Sequence, residues 1–261
     1  MERMVTDQMG FNVYVSAVPK RIISLVPSQT ELLASLGLDE EVVGITRYCA
    51  HPKSWNKSKT IIGGTKKFDF EIISFLKPDL IIGNKEENYE EGIQLLKQKY
   101  PVWMSDIATL QHSMEMILSI GEMVNRVSIA KTLIENINNS FQSIHKFNDV
   151  PALYLIWKNP WMGAASQTFI HEMLLQAGFK NVLGVKIRYP EVTDEEIRRL
   201  SPDVVLLSSE PYPFKGKHIK EINSIVPDAK VVLVDGELFS WYGSRMLYFT
   251  DYISKLKSQL G

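Results

Sequence analysis

Apolar residues in this chain fall into short continuous runs, separated by longer stretches of helical spacing. An unbroken apolar run is typical of a parallel strand that is buried on both faces. The main strands are predicted at 21–26, 79–83, 152–156, 203–207 and 230–234. Two weaker apolar runs, at 42–45 and 101–104, predict further strands. Strands that alternate with helical segments predict an α/β fold.

The two halves of the sequence repeat the same signals in the same order. Ser28-Gln-Thr30 recurs as Ser166-Gln-Thr168, and each copy precedes an apolar helical face that ends at a glycine. Leu76-Lys-Pro-Asp-Leu-Ile-Ile82 recurs as Leu200-Ser-Pro-Asp-Val-Val-Leu206. In both copies proline ends a helix and aspartate opens a strand. The repeat predicts two similar three-layer α/β lobes with parallel-type sheets.

A long stretch between the halves has helical spacing and no strand signal. A polar interruption near 125–128 divides it, and we predict that the second helix runs from about Ser128 to Lys146. At 1.5 Å per residue this helix is roughly 28 Å long, enough to join the two lobes by itself. The predicted organisation is an N-terminal lobe at 1–127, a connecting helix at 128–147 and a C-terminal lobe at 148–261.

The N-terminal end of the chain has a different pattern. Asp7-Gln-Met-Gly10 is a turn signal between two short extended stretches. It predicts a small hairpin ahead of the first core strand.

Composition and charge exclude several classes of protein. Lys and Arg total 29 and Asp and Glu total 30, so the basic excess of a nucleic-acid-binding protein is missing. A single cysteine, Cys49, excludes the disulfide-stapled class. No apolar run approaches the roughly 20 residues of a transmembrane helix. The sequence also lacks phosphate-loop, serine-elbow and zinc-helix motifs and paired histidines, so no cofactor or protein-built metal site is predicted.

Three segments carry a family resemblance. Pro19-Lys-Arg-Ile-Ile-Ser-Leu-Val-Pro-Ser-Gln-Thr-Glu-Leu-Leu33 resembles the opening strand and helix of the substrate-binding proteins of ABC importers for cobalamin, haem and iron–siderophore complexes. The segments from Asp69 to Asn84 and from Tyr189 to Pro211 are similar to later parts of that family. The resemblance extends over nearly the whole chain from Val13, and the cobalamin-type branch is nearest.

The resemblance implies a monomeric, non-enzymatic protein with two α/β lobes joined by one helix. Its ligand would be a metal chelate held in the cleft between the lobes, with a cobalamin-like corrinoid favoured, and its partner an ABC transporter permease. An iron–siderophore complex or haem is the alternative ligand. A chelatase-like enzyme or a soluble chelate carrier is the alternative of another class. The family implies an extracytoplasmic, for example periplasmic, location. The N-terminus has no signal-peptide pattern, so a cytoplasmic location is retained as the alternative.

Candidate ligand contacts follow the predicted strands. Ser28, Gln29 and Thr30 lie between a strand and a helix, at the edge of the sheet where open α/β folds bind ligands. The alternative is a plain helix cap. Arg245, near the start of the last helix, suits a ligand carboxylate or phosphate, and an exposed surface charge is the alternative.

Aromatic residues cluster in and just after the predicted strands. A planar chelate needs flat apolar walls with a few polar groups, whereas core packing is the alternative for each ring. The predicted aromatic contacts are Tyr48, Trp157, Trp161, Phe239, Trp241 and Tyr242.

Glutamates at equivalent places in the repeat are candidate docking points for a permease. Aligning Pro78 with Pro202 places Glu86 opposite Glu210, and Glu87 lies next to the former. The resemblance implies that one glutamate per lobe meets arginine pockets on the transporter. The alternative for Glu86 and Glu87 is an acidic helix start, where carboxylates suit the helix dipole.

Overall fold

The structure, a computed structural model, describes residues 2–260 and divides them by contact into two compact units. The N-terminal unit contains residues 2–107, 111–136 and 242–245, and the C-terminal unit contains residues 108–110, 137–241 and 246–260. This division differs from the predicted boundaries at 127 and 148. Residues 242–245, which are distant in sequence, belong to the N-terminal unit.

The N-terminal unit consists of nine strands and the helices that connect them. The strands are β1 Glu2–Thr6, β2 Asn12–Ser16, β3 Ile22–Ser24, β4 Val42–Ile45, β5 Thr60–Ile61, β6 Gly63–Gly64, β7 Lys67–Phe68, β8 Leu80–Asn84 and β9 Val102–Ser105. The helices are α1 Pro27–Ser35, α2 Trp55–Ser58, α3 Phe70–Leu76, α4 Glu90–Lys97, α5 Leu110–Met123 and α6 Val127–Gln142, the last of which continues into the C-terminal unit.

The main sheet of this unit is parallel throughout, in the order β5-β4-β3-β8-β9. The four predicted strands of this half are confirmed as β3, β4, β8 and β9, and all of their apolar side chains except the half-buried Val43 are buried. The chain leaves β3 toward one edge of the sheet and later returns to fill the other. The strand order therefore reverses between β3 and β8, the kind of position at which open α/β sheets bind ligands.

The predicted N-terminal hairpin is confirmed. Strands β1 and β2 pair antiparallel, with Met4 opposite Tyr14. Asp7 Oδ1 accepts the backbone N–H groups of Met9 and Phe11 at 3.0 and 2.8 Å, and Gly10 has a φ of +84°. Only glycine adopts that backbone conformation without steric cost, which explains why the turn forms at this place.

Helix α6 is shorter than predicted: it begins at Val127 and ends at Gln142, not near Lys146. The hydroxyl groups of Ser140 and Ser143 donate to the backbone oxygens of Ile137 and Ser140. Such local side-chain bonds compete with helix continuation. The role of this helix as the connector of two lobes stays a prediction.

The C-terminal unit repeats the strand–helix alternation. Its strands are β10 Val150–Trp157, β11 Trp161–Gly163, β12 Phe179–Asn181, β13 Glu191–Val192, β14 Val204–Ser208 and β15 Lys230–Val234. Its helices are α7 Phe169–Ala177, α8 Asp194–Leu200, α9 Gly216–Ile225, α10 Gly236–Ser240 and α11 Phe249–Leu260, with a 3-10 helix at Ser244–Tyr248 that begins in the N-terminal unit.

The sheet of the C-terminal unit is mixed. Strands β12, β10, β14 and β15 run parallel, while β11 and β13 add an antiparallel extension beside the end of β10. The three predicted strands of this half are confirmed as β10, β14 and β15. The sequence did not predict β11, β12 or β13, because strands of two or three residues are too short to show a period. Within residues 2–260, no helix is long and apolar enough to cross a bilayer.

Candidate functional site

A buried polar cluster occupies the carboxyl ends of the central strands in the N-terminal unit. The Gln29 side chain, at the start of α1, donates to Gly83 O at 3.1 Å and to Ser105 Oγ at 2.7 Å. Asn84 Nδ2 donates to the same Ser105 hydroxyl at 3.0 Å, and the backbone N–H of Asn84 donates to Asn88 Oδ1 at 2.9 Å. Buried polar groups need such partners, so the strand ends are held as one connected network.

Tyr242 joins this cluster from the far end of the sequence. Its side chain is buried, and its hydroxyl donates to Glu87 Oε1 at 3.2 Å. Burial raises the pKa of Tyr242 well above its usual value, and the nearby Glu87 carboxylate raises it further. The phenol therefore stays protonated and acts as a donor to Glu87.

Ser28, Gln29 and Thr30 are buried in the same region. The cap alternative is wrong, because the N-cap position of α1 is Val26 and carries no side-chain hydrogen bond. Thr30 Oγ1 donates to Val26 O at 2.9 Å and lies 3.0 Å from Cys49 Sγ. The role of these three residues as ligand contacts stays a prediction that requires a movement of the buried surroundings.

Tyr48 is the exposed aromatic residue at the carboxyl edge of this sheet. It follows β4 by three residues, and its side chain is 59% exposed. A Cβ at Gly64 would lie 3.1 Å from Tyr48 Cε2, so one edge of the ring lies against that glycine. The other parts of the ring remain available to a flat apolar partner.

Trp157 lies at the carboxyl end of a central strand in the C-terminal unit. It is the last residue of β10, the strand at which the order of this sheet reverses, and it is 40% exposed. Tyr212, in the loop after β14, contacts it edge-on with 5.6 Å between ring centroids. Trp157 is therefore an exposed ring with a fixed neighbour at a favourable place for a ligand.

Trp161 is half-buried and held on several sides. Its Nε1 donates to Asp194 Oδ1 at 2.9 Å, and its ring stacks on Phe214 with a centroid distance of 6.2 Å. The Lys158 ammonium lies 5.3 Å from the ring centroid. These contacts leave Trp161 less free to meet a ligand than Trp157.

Two of the predicted aromatic contacts lie in the core of the C-terminal unit. Phe239 is fully buried and packs against Tyr154 and Phe249, with centroids 5.1 and 5.5 Å away. Trp241 is buried, and its Nε1 donates to Glu210 Oε1 at 2.9 Å. For these two rings the structure supports the core-packing alternative.

Glu210 is a structural acceptor as well as a candidate docking residue. Its carboxylate accepts from Ser240 Oγ at 2.8 Å and from Trp241 Nε1, which ties the loop after β14 to the end of α10. Burial raises the pKa of Glu210 above its usual value, while these two bonds oppose the shift. The ionised form is therefore less favoured in the folded protein than in the unfolded chain.

Replacing Glu210 by glutamine should stabilise the protein at neutral pH. Glutamine keeps an oxygen acceptor for Ser240 and Trp241 and removes the partly desolvated charge. A raised folded-state pKa contributes stability at pH values below the unfolded pKa and loses it as the pH rises through the folded one. We expect the free energy of unfolding to increase at pH 8, and the difference to vanish toward pH 4 as the carboxyl group becomes protonated in the wild type. Urea unfolding across this pH range tests it, with the exposed Glu115→Gln variant as control; an equal gain in the control would contradict the explanation.

Glu86 and Glu87 lie where the repeat predicts, just beyond β8. Asn84 Oδ1 accepts the backbone N–H groups of both residues, at 2.8 and 3.1 Å. Their side chains are half-buried, and the Glu87 carboxylate accepts from Tyr242. Of the predicted docking glutamates, Glu87 and Glu210 thus each hold a contact inside their own unit.

Arg245 forms a two-bond ion pair with Glu31 of α1. Its Nε and a terminal nitrogen donate to the two carboxylate oxygens at 2.7 and 2.8 Å, and both side chains are largely buried. This paired geometry is the strong form of an arginine–carboxylate interaction. It overturns the surface-charge alternative, and the contact with ligand stays a prediction.

Histidine and cysteine groups do not assemble a metal site in the part of the chain that the structure describes: no group of three His, Cys, Asp or Glu side chains there could hold an ion. Cys49 is buried between two threonine hydroxyls, and burial raises the pKa of its thiol. His171 lies 3.0 Å from Asn181 through Nδ1.

Two surface cavities lie at the amino ends of the strands, away from these aromatic rings. One, of about 430 Å³, is lined by Phe11, Tyr14, Lys97 and Tyr100 near the start of β9. The other, of about 450 Å³, is lined by Phe147, Asp203, Lys230 and Lys257 near the starts of β14 and β15. Ligands of open α/β sheets bind at the carboxyl ends, so neither cavity is the candidate site.

Comparison with known proteins identifies relatives that match most of this chain. Residues 22–227 match the family described as periplasmic binding protein. An uncharacterized ABC transporter substrate-binding lipoprotein of Bacillus subtilis, YvrC, is 26% identical over 93% of this chain and 81% of its own length. A vitamin B12-binding protein of Vibrio vulnificus is 24% identical over 76% of this chain and 75% of its own. The periplasmic haem-binding protein HutB of Vibrio cholerae superposes with a TM-score of 0.77 at 20% identity, over 94% of this chain and 99% of that structure.

Proposed function

Because this chain belongs to the periplasmic binding protein family, we propose that it is the substrate-binding component of an ABC importer and that its ligand is a metal chelate, with a planar macrocycle favoured. A cobalamin-like corrinoid is the first candidate, and haem or a ferric siderophore is the alternative. The names of the relatives support this range, since they include a substrate-binding lipoprotein, a vitamin B12-binding protein and a haem-binding protein. An extracytoplasmic location is part of the same proposal.

One observation carries the choice of a planar ligand. Each unit presents one exposed aromatic ring at the carboxyl edge of its parallel strands, Tyr48 after β4 and Trp157 at the end of β10. Exposed tyrosine and tryptophan rings at a ligand edge offer a large flat apolar surface with one polar group each. A corrin or porphyrin macrocycle is the kind of ligand that gains most from such surfaces, whereas a small hydrophilic solute gains little.

The chelatase-like alternative needs a histidine and a carboxylate that converge on the ligand. Among the described histidines, His218 has both ring nitrogens engaged with Lys215 and Tyr212, and His171 contacts Asn181. These contacts favour structural roles for both rings. Neither of these two histidines therefore offers the free ring that a chelatase-like enzyme needs.

Titration with defined chelates tests the proposal. The protein is mixed with cyanocobalamin, haemin and a ferric catecholate siderophore, and absorbance and tryptophan fluorescence are recorded. We expect cyanocobalamin or haemin to bind and to quench the fluorescence of Trp157. The part of the quenching that is due to Trp157 is the part that the Trp157→Phe variant lacks. Binding of the siderophore alone would exclude a planar macrocycle as the ligand. Binding of none of the three would overturn the proposed ligand class.

Permease docking through Glu86, Glu87 and Glu210 is part of the proposal, and it predicts a loss of capture when these charges are removed. The triple Glu→Gln variant keeps the oxygen acceptors for Tyr242, Ser240 and Trp241, so its fold should be preserved. Ion pairs of this kind set orientation and association rate and weaken with salt. We expect unchanged chelate binding and at least 10-fold weaker capture of the cognate permease.

A matched double variant provides the control for this docking test. Glu71 and Glu195 are exposed, and each lies seven residues before the proline of the repeat, Pro78 or Pro202. The Glu71→Gln/Glu195→Gln variant removes two symmetric surface charges at the N-terminal turns of α3 and α8. If the triple variant still captured the permease and the double variant did not, the docking surface would lie at the N-terminal ends of α3 and α8 and not at Glu86, Glu87 and Glu210.

A further inference from the structure

We propose that His218 and Tyr212 form a support that holds the Trp157 ring in its exposed orientation, so that both are positioning residues for the chelate-binding surface. This inference rests on the proposed function, because it assigns Trp157 to the ligand. The three residues come from three separate parts of the C-terminal unit, namely α9, the loop after β14 and the end of β10.

Tyr212 is fixed to the strand that carries Trp157. Its backbone N–H donates to Ile156 O at 3.3 Å, one residue before the tryptophan, and the two rings meet at 70°. Pro211 and Pro213 flank Tyr212 in the sequence and restrict their own backbone angles. The loop therefore offers Tyr212 few positions other than beside Trp157.

His218 defines where the Tyr212 hydroxyl points. The imidazole is 2% exposed, and its Nδ1 accepts the backbone N–H of Lys215 at 2.8 Å. Because Nδ1 is an acceptor, the neutral ring carries its proton on Nε2. Nε2 lies 3.3 Å from Tyr212 Oη and donates to it.

Phe214 completes the packing around this pair. It is buried, with its ring 4.8 Å from that of Tyr212 and 5.3 Å from that of His218. The Tyr212 ring is thus held by a hydrogen bond at its oxygen, an aromatic face on one side and Trp157 on another. Side chains with locked orientations position a binding surface without an entropy cost at the moment of binding.

Protonation of His218 should release this support. Burial lowers the pKa of His218, and the charged groups around it are Glu221 and Lys217 on α9 and Lys158 in the turn after β10. Glu221 opposes the lowering and the two lysines favour it. As the pH falls below about 6.5 toward the folded-state pKa, Nδ1 gains a proton and no longer accepts from Lys215. Above this pH range the His218 ring is neutral, and its hydrogen bonds with Lys215 and Tyr212 contribute their full stability.

Three conservative variants separate the support from simple folding. Tyr212→Phe keeps the ring and removes the oxygen. His218→Asn keeps an acceptor near the position of Nδ1 and removes the Nε2 donor, whereas His218→Gln places an amide nitrogen near Nε2. Near-ultraviolet circular dichroism of the ligand-free protein reports the ordering of Trp157, whose contribution is the difference between the wild type and Trp157→Phe.

We expect Tyr212→Phe and His218→Asn each to lose at least half of the Trp157 signal. His218→Gln keeps the donor to Tyr212 but loses the acceptor for Lys215, so it should lose less of the signal than His218→Asn. The wild-type signal should fall as the pH is lowered below about 6.5, and that of His218→Asn should not. Dissociation constants for cyanocobalamin or haemin should rise 3- to 10-fold in the first two variants and no further in the double variant, because the two residues act as one unit.

An unchanged Trp157 signal in Tyr212→Phe and His218→Asn would overturn the support. Additive losses of affinity in the double variant would also overturn it, since they would show two independent contributions. If the wild type binds neither chelate, the proposed function fails, and the ligand-free spectra still decide whether His218 and Tyr212 order Trp157.

Discussion

Arg245→Ala should lower the free energy of unfolding by about 3 kcal/mol or more, the usual cost of removing one partner of a buried ion pair. The guanidinium makes two short bonds to Glu31, and both side chains are more than four-fifths buried. Removing it leaves the Glu31 carboxylate on α1 without this partner in a region that water reaches poorly. Urea unfolding followed by far-ultraviolet circular dichroism at neutral pH measures the loss.

The control for this prediction is Arg47→Ala, because Arg47 is exposed and its loss should cost no more than about 0.5 kcal/mol. Replacing both members of the pair, as in Glu31→Leu/Arg245→Leu, should restore much of the stability, since no unpaired charge remains. A loss below 0.5 kcal/mol in Arg245→Ala would show that the pair does not stabilise the fold.

The double variant Tyr48→Ala/Trp157→Ala should bind a planar chelate about 100-fold more weakly, and each single variant about 10-fold more weakly. Removing a buried aromatic contact costs roughly 1–3 kcal/mol, and each 1.4 kcal/mol is a factor of ten in affinity. Isothermal titration with cyanocobalamin or haemin measures the change. Tyr48 is 59% exposed without ligand, so the thermal stability of Tyr48→Ala should stay near that of the wild type. Trp157 is 40% exposed and contacts Tyr212, so Trp157→Ala should also lose this contact.

Tyr248→Ala is the matched control, because Tyr248 is also 59% exposed and ends a 3-10 helix, whereas Tyr48 and Trp157 lie at or just after strand ends. Its affinity for the chelate should not change. Equal weakening by Tyr248→Ala, or full affinity in the double variant, would contradict the assignment of Tyr48 and Trp157 to the ligand surface.

The exposure of the aromatic residues could not be predicted from the sequence. Phe239, Trp241 and Trp157 all lie near strand ends in the sequence, and the pattern predicted each of them as a ligand contact. Phe239 is covered by Tyr154 and Phe249, which lie 85 residues before it and 10 residues after it. A sequence pattern records the type of a side chain, but its exposure depends on which distant residues pack over it.

The hydrogen bonds of the two copies of the repeat could not be predicted from the sequence either. Asp79 and Asp203 open equivalent strands, and their backbone N–H groups donate to Arg21 O and Pro151 O. The Asp79 carboxylate also accepts the N–H groups of Lys20 and Arg21, at 2.8 Å each. Pro151 stands where Arg21 does in the first copy and has no N–H to donate. Similar topology therefore does not carry the same contacts.

The sequence by itself determined the α/β class, the order of the main strands and the duplication, because continuous apolar runs and proline–aspartate starts depend on neighbouring residues. Tertiary structure decided which candidate residues are exposed, which charges are paired and where α6 ends. Tyr242, for example, meets Glu87 across 155 positions of sequence. Such contacts depend on how the chain is packed, and local periodicity contains no information about them.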